Sequence, residues 1–252
     1  MKAIILAAGR GSRLKEHTSE KPKCLNTVGG RSLLEWQIDA FSASGIHDIT
    51  IVTGYKSYLL ENFGTRRIVN TEWSRSNMVQ SLICAQSVIT GPVIVGYSDI
   101  LFGKSAVSCL MADDNDLAVL YDMKWRSLWE RRFKNPLEDA ESFRINHKGR
   151  ILEIGKRVKD INKIAGQYVG LLRFTPNSLS WVKDLLKTQL GLALTLDMTA
   201  LLNVLIKNGY PVYGVSIKNG WCEVDTPSDL EVANQMLKEG LLPLVAHGND
   251  NA

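Results

Sequence analysis

The residues that follow the first apolar segment of the chain suit the binding of phosphate groups. Gly9 and Gly11 carry no Cβ atom, so consecutive backbone N–H groups there can turn inward around an anion. Arg13 and Lys23 add positive charge close by in the sequence. We therefore predict a loop that binds the phosphates of a nucleotide. Its candidate residues are Leu6, Ala7, Ala8, Gly9, Arg10, Gly11, Ser12, Arg13 and Lys23.

The spacing of the two glycines differs from that of two common phosphate motifs. The Walker pattern Gly-x-x-x-x-Gly-Lys-Ser/Thr is absent, and Leu14 stands where the dinucleotide-binding pattern Gly-x-Gly-x-x-Gly has its third glycine. Gly-x-Gly alone is also compatible with an ordinary turn between a strand and a helix, with solvated cations beside it. The whole string, and not the glycine pair, therefore carries the prediction.

Two carboxylates, Asp99 and Asp225, follow short apolar segments and are candidates for a metal site. Asp99 comes soon after the segment 93–97, and Asp225 precedes Thr226 and Pro227, a typical start of a helix. Carboxylate oxygens are ligands that Mg²⁺ prefers, together with water and substrate phosphates. From the pattern alone, the alternatives are a turn residue at a strand end for Asp99 and a helix cap for Asp225.

Strand and helix patterns alternate along the first half of the chain, as expected of βαβ units. The apolar segment 2–6 predicts a strand buried on both faces, and ligands bind beyond the carboxyl ends of such strands. Strand-like segments dominate residues 116–174, for which we predict an inserted small β lid that covers the substrate. We predict one α/β domain over 1–240, with a Rossmann-like mixed, mainly parallel sheet flanked by helices, and a tail at 241–252. Helices are predicted over 32–44, 57–63, 77–89, 176–187, 198–208 and 227–237.

The composition is that of an ordinary globular chain. Of the 252 residues, 45% are hydrophobic and 22% are charged, with a formal net charge of +4. The sequence has no array of aromatic and basic residues typical of RNA-binding strands, so we predict no nucleic-acid partner. The four cysteines lie far apart without metal-ligand spacing, which argues against structural zinc. No segment reaches transmembrane length, so we expect no membrane partner and a cytoplasmic location.

Two segments of the sequence resemble motifs of one enzyme superfamily. The string 6–13, followed by Lys21-Pro22-Lys23, resembles the signature of the nucleotidyltransferases that make nucleotide-diphospho-sugars and CDP-alcohols. The segment 223–230, which reads Glu-Val-Asp-Thr-Pro-Ser-Asp-Leu, resembles a late motif of the same enzymes. The resemblance implies a GT-A-like fold over most of the chain.

The resemblance also implies roles for individual residues. It implies that Asp99 and Asp225 bind Mg²⁺ and that Arg13 and Lys23 are catalytic, because they stabilise the α-phosphate or the leaving pyrophosphate. An Asn-x-x-x-Ser-Leu stretch lines the nucleotide pocket of the phosphocholine-type enzymes, and the chain has this stretch at 77–82. A simple helix cap at its start is the alternative. Asn77, Ser81, Ser98 and Asp99 are the further residues predicted to contact the nucleotide.

The middle of the chain carries aromatic and charged residues that suit an acceptor site. Aromatic faces attract ammonium groups, and Arg or Lys side chains bind phosphoryl groups. Lys156 follows Gly155 and resembles the basic residue with which members of the family bind the acceptor phosphate. A packed sheet with a solvated charged surface is the alternative. The candidate acceptor-binding residues are Trp129, Arg132, Glu153, Lys156 and Tyr168.

Within the superfamily, the chain resembles most the enzymes that use CTP. The resemblance implies that CMP is joined to a small phosphorylated or phosphonate acceptor, such as 2-aminoethylphosphonate, phosphocholine or phosphoglutamine. Pyrophosphate would be released, and the product would serve the decoration of cell-surface polymers. A sugar-1-phosphate nucleotidyltransferase that uses UTP or dTTP and a non-catalytic nucleotide-binding regulatory subunit are the alternatives. The acceptor and the oligomeric state, with a homodimer among the choices, stay open.

Overall fold

A seven-stranded sheet forms the centre of the computed structural model, which describes residues 1–188 and 191–245. The last part of the predicted tail, residues 246–252, lies outside this described part of the chain. The described strands, seven of which form this sheet and the others two-stranded pairs, are β1 (Lys2–Ala7), β2 (Thr27–Val28), β3 (Arg31–Ser32), β4 (Ile49–Thr53), β5 (Arg66–Val69), β6 (Val93–Tyr97), β7 (Ile100–Phe102), β8 (Leu117–Asp122), β9 (Glu141–Ile145), β10 (Ile151–Arg157), β11 (Gln167–Phe174), β12 (Tyr213–Ile217) and β13 (Trp221–Glu223).

Helices pack around this sheet and join its strands. They are α1 (Leu33–Ala43), α2 (Met78–Cys84), α3 (Lys104–Met111), α4 (Arg126–Arg132), α5 (Pro176–Thr188), α6 (Leu192–Thr195), α7 (Met198–Lys207) and α8 (Pro227–Lys238). Capping boxes begin two of them, since Ser32 pairs with Glu35 at α1 and Thr226 pairs with Asp229 at α8.

The central sheet is mixed and mainly parallel, as predicted. Its order is β12-β8-β11-β6-β1-β4-β5. Neighbouring strands are parallel except around β11, which runs antiparallel to both β8 and β6. Every residue of β1 from Ala3 to Ala7 is buried, because helices cover both faces. The carboxyl end of β1 therefore opens at the edge of the sheet where the glycine loop begins.

The predicted insertion over 116–174 is wrong at both ends. Its first and last strands, β8 and β11, are nearly or fully buried and belong to the central sheet. What lies between them is smaller, namely α4 and a two-stranded antiparallel pair of β9 and β10 in which Phe143 faces Ile154. Strand-like composition shows that a segment is extended, but not which sheet it joins.

Two predicted helices are shorter in the structure. The segment 57–63 forms only a 3₁₀ turn at Ser57–Leu60, and Gly64, with a φ of 69°, follows it. The segment 77–89 forms α2 up to Cys84 and then a separate 3₁₀ turn at Gln86–Val88. Helices α3 and α4 were not predicted, since each is short and carries only two turns of apolar spacing.

The described helices also bear on membrane association. None of them combines the length and the apolar character that crossing a bilayer requires.

Candidate active site

The predicted glycine loop packs tightly against the side chain of Lys23. Gly11 has a φ of 76°, in the left-handed region, and it precedes the 3₁₀ turn Ser12–Thr18. A Cβ atom at Gly11 would lie 2.6 Å from the Cβ of Lys23. Glycine at this position therefore allows the loop to pack directly against the stem of Lys23.

The loop opens on a cavity of about 190 Å³, which we call the nucleotide cavity. The predicted nucleotide-binding residues that line it are Leu6, Ala8, Gly9, Gly11, Arg13, Lys23, Asn77, Ser81, Ser98 and Asp99. Three predicted residues do not line it. Ala7 is buried within β1, Ser12 is exposed, and the guanidinium of Arg10 lies 5.7 Å from the ring centre of Tyr55.

Helix α2 forms one wall of this cavity at its first turn. The side chain of Asn77 accepts a hydrogen bond from the N–H of Met78 at 2.8 Å, which is a capping contact. The hydroxyl of Ser81 accepts a hydrogen bond from Asn70 at 3.1 Å. Asn77 is thus a helix cap that also lines the cavity, and its contact with a nucleotide stays a prediction. Asn70 and Trp73 line the cavity too, and the sequence analysis did not identify them.

The two predicted metal-binding carboxylates, Asp99 and Asp225, both contact the ammonium group of Lys23. The ammonium of Lys23 donates to Asp99 Oδ2 at 2.7 Å and also to Asp225 Oδ1. Arg13 Nη1 lies 2.9 Å from Asp225 Oδ2. Burial lowers the pKa of Lys23, but the charges and hydrogen bonds of the two carboxylates outweigh it and raise this pKa above its ordinary value. Lys23 is therefore held protonated between them.

A third carboxylate, Glu223, completes a cluster suited to a divalent cation. One oxygen from each of Asp99, Glu223 and Asp225 lies within 4.8 Å of the other two. Asp99 Oδ1 is buried and has no hydrogen-bond partner, so one ligand atom is free. This all-oxygen donor set fits a hard cation. Burial and the charge of Asp225 raise the pKa of Glu223 to about 8, although Arg132 opposes them.

Glu223 was not among the predicted ligands, although the sequence contained a signal for it. Glu223 ends β13 and stands two residues before Asp225 in an extended segment. Side chains two residues apart in an extended segment point to the same side. The pairing of β13 with β7 sets Glu223 opposite Ile100, and Val224 donates its N–H to the carbonyl of Asp99 at 2.8 Å. These backbone contacts bring the late motif against the residue that follows β6.

The capping box of α8 leaves Asp225 available to the site. Thr226, and not Asp225, is the N-cap residue, so the helix-cap alternative is wrong. Asp229 accepts hydrogen bonds from the N–H groups of Asp225 at 3.0 Å and Thr226 at 2.8 Å. Asp229 therefore fixes the backbone that carries Asp225.

Arg132 lies under the carboxylate cluster with no exposed side-chain area. Its guanidinium donates to Glu223 Oε2 at 2.8 Å and to Asp229 Oδ1 at 2.9 Å. It also lies 5.3 Å from the ring centre of Trp129. Burial lowers the pKa of Arg132, while the carboxylates of Glu223 and Asp229 raise it and prevail. Arg132 thus holds two residues of the late motif, and it does not line the nucleotide cavity.

A second cavity, of about 230 Å³, adjoins the first and is here called the acceptor cavity. Trp129 and Tyr168 line it, as the acceptor prediction requires, whereas Arg132, Glu153 and Lys156 do not. Lys156 instead forms an ion pair with Glu153, three residues before it, and is half exposed. The acceptor roles of these residues stay predictions. Arg13, Met78 and Asp99 line both cavities.

The fold and this site define a nucleotidyltransferase, and comparison with known proteins agrees. Residues 3–144 match the model of the MobA-like NTP transferase domain, and the chain belongs to this family. Enzymes of this kind generally use a divalent metal.

Two curated relatives and one solved structure are similar to the chain. CTP:phosphoglutamine cytidylyltransferase of Campylobacter jejuni is 34% identical over 92% of this chain and 98% of the relative. Choline-phosphate cytidylyltransferase of Streptococcus pneumoniae is 37% identical over 40% of this chain and 46% of the relative. The inositol-1-phosphate CTP transferase of T. maritima superposes with a TM-score of 0.75, at 22% identity, over 94% of this chain and 95% of that structure. The structural match supports the fold.

Proposed function

We propose that this nucleotidyltransferase joins CMP from CTP to a small phosphorylated or phosphonate acceptor, with release of pyrophosphate. One observation carries the proposal: the nucleotide cavity and the acceptor cavity meet at Arg13 and Asp99. A phosphoryl group at this junction can be approached from the acceptor side while its leaving group lies along the glycine loop. The names of the two curated relatives support CTP as the nucleotide.

The reaction is an in-line displacement at the α-phosphorus. The attacking phosphate or phosphonate oxygen is already anionic, so the chain needs no general base, and alignment and charge stabilisation supply the catalysis. Lys23 and Arg13 stabilise the negative charge of the α-phosphate and of the departing pyrophosphate. The backbone N–H groups between Ala8 and Ser12 orient the β- and γ-phosphates.

The carboxylates Asp99, Glu223 and Asp225 would hold Mg²⁺. A divalent cation held there would supply positive charge that offsets the charge of the phosphoryl oxygens. Mg²⁺ is the metal that suits an all-oxygen donor set that leaves room for water and substrate phosphates. The ammonium of Lys23 lies between two of these carboxylates, Asp99 and Asp225.

Pyrophosphate release from each of the four common nucleoside triphosphates tests the nucleotide. The acceptors are phosphocholine, 2-aminoethylphosphonate, phosphoethanolamine, phosphoglutamine and glucose 1-phosphate. We expect release with CTP and one of the zwitterionic acceptors. Release from UTP or dTTP with glucose 1-phosphate would instead support a sugar-1-phosphate nucleotidyltransferase. Release with no combination would support a non-catalytic nucleotide-binding subunit.

The cellular setting follows from the same proposal. All four cysteines, Cys24, Cys84, Cys109 and Cys222, are free thiols, which suits a reducing compartment such as the cytoplasm. A CMP-linked acceptor is an activated donor, so its group can be transferred onward to a cell-surface polymer.

A further inference from the structure

Resting on the metal site of the proposed function, we propose that Gln37 is a positioning residue for Asp99. Gln37 lies in α1 and lines neither of the two cavities. Its side-chain amide fixes the short turn of backbone that carries Asp99, and so presets one carboxylate of the cluster for a divalent cation. The sequence analysis did not identify Gln37 as a site residue.

Asp99 lies where the chain leaves the central sheet. Strand β6 ends at Tyr97 and β7 begins at Ile100, so Ser98 and Asp99 form the turn between them. Strand β6 belongs to the central sheet, whereas β7 pairs with β13 in a separate two-stranded sheet. The pairing of β6 with its neighbours therefore stops before Asp99. Contacts from outside the central sheet must fix the direction of this carboxylate.

Gln37 bridges the two ends of this turn. Its Nε2 donates to the carbonyl oxygen of Tyr97 at 3.0 Å and to that of Ile100 at 2.7 Å. A primary amide has two N–H groups, so each carbonyl can receive its own hydrogen bond. The carbonyl of Asp99, which lies between these two in the chain, accepts a hydrogen bond from the N–H of Val224 at 2.8 Å. The backbone around Asp99 is thus held both by α1 and by the late motif.

The other end of the same amide shows that general packing does not explain a glutamine here. Gln37 has no exposed area, and its Oε1 has no hydrogen-bond partner among the described residues. A buried acceptor without a partner is unfavourable. Leucine or methionine would fill a similar volume without this orphaned oxygen. The two donated hydrogen bonds are therefore what Gln37 contributes.

Helix α1 is a firm base for this amide. A capping box begins the helix, and Phe41 near its end is fully buried. The ring of Phe41 packs edge to face against Phe102 of β7, with ring centres 5.5 Å apart. Helix α1 therefore holds β7 at two points, by the hydrogen bond to Ile100 and by the aromatic contact at Phe102. Gln37 thus ties the turn to a packed helix.

This support bears on the metal site because the three carboxylates must lie close together. One oxygen from each of Asp99, Glu223 and Asp225 lies within 4.8 Å of the other two. Strand β13 places Glu223, and the capping box of α8 fixes the backbone of Asp225. Gln37 does the same for Asp99. Loss of a group that orients a metal ligand typically weakens metal binding by about 10–100-fold.

Titration of the protein with Mn²⁺, without nucleotide, tests this role. Electron paramagnetic resonance measures the free Mn²⁺, so the dissociation constant is obtained without turnover. Gln37→Met and Gln37→Leu both remove the two N–H donors. We expect each to raise the dissociation constant for Mn²⁺ by at least about tenfold. Circular dichroism checks that the variants fold, and denaturant titration measures the change in their stability.

Trp36→Phe is the matched control. Trp36 precedes Gln37 in α1, and its Nε1 donates to the carbonyl of Val28 at 2.9 Å. The variant therefore removes a side-chain hydrogen bond to backbone from the same helix, but not from the turn that carries Asp99. We expect lower stability and an unchanged dissociation constant for Mn²⁺. An equal rise of this constant in Trp36→Phe and Gln37→Met would mean that lost stability alone weakens binding, and would overturn the inference.

The inference and the proposed function fail in different measurements. The Mn²⁺ titration contains neither nucleotide nor acceptor, so weaker binding in Gln37→Met supports the inference even if CTP is not a substrate. Unchanged Mn²⁺ binding in Gln37→Met overturns the inference even if CTP releases pyrophosphate. Absence of Mn²⁺ binding by the unaltered protein overturns it as well.

Discussion

At the scale of single residues, the site is organised around Lys23. Its ammonium lies between Asp99 and Asp225, two residues that are far apart in the sequence. The sequence predicted all three as site residues, Lys23 and Asp225 from recognisable local motifs and Asp99 from its place after the segment 93–97. It could not show that they touch, since nothing in a local pattern fixes the distance between residues on different elements.

Replacing Lys23 by Ala tests its role in catalysis. We expect kcat to fall by about 10²–10³-fold, as when one preorganised donor to a transition-state oxyanion is removed. The chain should still fold, although Asp99 and Asp225 lose their buried ammonium partner, and circular dichroism checks this. The matched control is Lys21→Ala, which removes a lysine outside both cavities. Unchanged kcat in Lys23→Ala would remove the assignment.

The cysteines give a test of the buried environment. Burial raises the pKa of Cys24 and of Cys222 to about 12, so almost none of either thiol is ionised at neutral or mildly alkaline pH. We expect these two thiols to be inert to a thiolate-specific reagent in the native protein and reactive after denaturation. Peptide mapping after labelling identifies the sites. Rapid native labelling of Cys222 would contradict the packing of β13.

At the scale of elements, short strands and turns position the charged groups. The pairing of β13 with β7 brings Glu223 close to Asp99, and α4 supplies Arg132, whose guanidinium donates to Glu223. Neither α4 nor this pairing was predicted, because α4 is short and β13 has only three residues. Without them, Arg132 looked like an acceptor ligand in the sequence, whereas in the structure its guanidinium is occupied by Glu223 and Asp229.

Arg132→Lys tests whether this guanidinium positions the late motif. Lysine keeps the charge but cannot donate to Glu223 and Asp229 in the same forked geometry. We expect a loss of about 1–3 kcal/mol in the free energy of unfolding and a fall in kcat. Arg131→Lys is the control, since Arg131 forms a partly exposed ion pair with Glu239 and should cost less than about 1 kcal/mol. Equal effects of the two variants would contradict the positioning role.

The glycine loop provides a second test at this scale. In Gly11→Ala, the new methyl group meets the stem of Lys23 and the backbone keeps a positive φ. We expect a loss of about 1–3 kcal/mol in the free energy of unfolding, measured by denaturant titration. Gly9→Ala is the control, because a Cβ atom there has no neighbour within 4 Å. A loss in Gly9→Ala as large as in Gly11→Ala would contradict the close approach of the loop to Lys23.

At the scale of the whole molecule, the mixed sheet brings three distant segments to one edge. The ends of β1 and β6 and the start of α8 deliver Arg13, Asp99 and Asp225 to the junction of two cavities. The class of the sheet was predictable from the alternation of apolar segments. The acidic lining of the acceptor cavity was not, because it combines β9, the start of α7 and the late motif, which only the tertiary structure brings together.

The most direct test of the two-cavity assignment is identification of the product by ³¹P nuclear magnetic resonance. The reaction contains CTP, Mg²⁺ and 2-aminoethylphosphonate. We expect two new, mutually coupled phosphorus signals of a phosphonate–phosphate anhydride, together with pyrophosphate, and their loss in Lys23→Ala. Hydrolysis of CTP to CMP with no coupled signals, or an anhydride formed only from UTP or dTTP and glucose 1-phosphate, would contradict it.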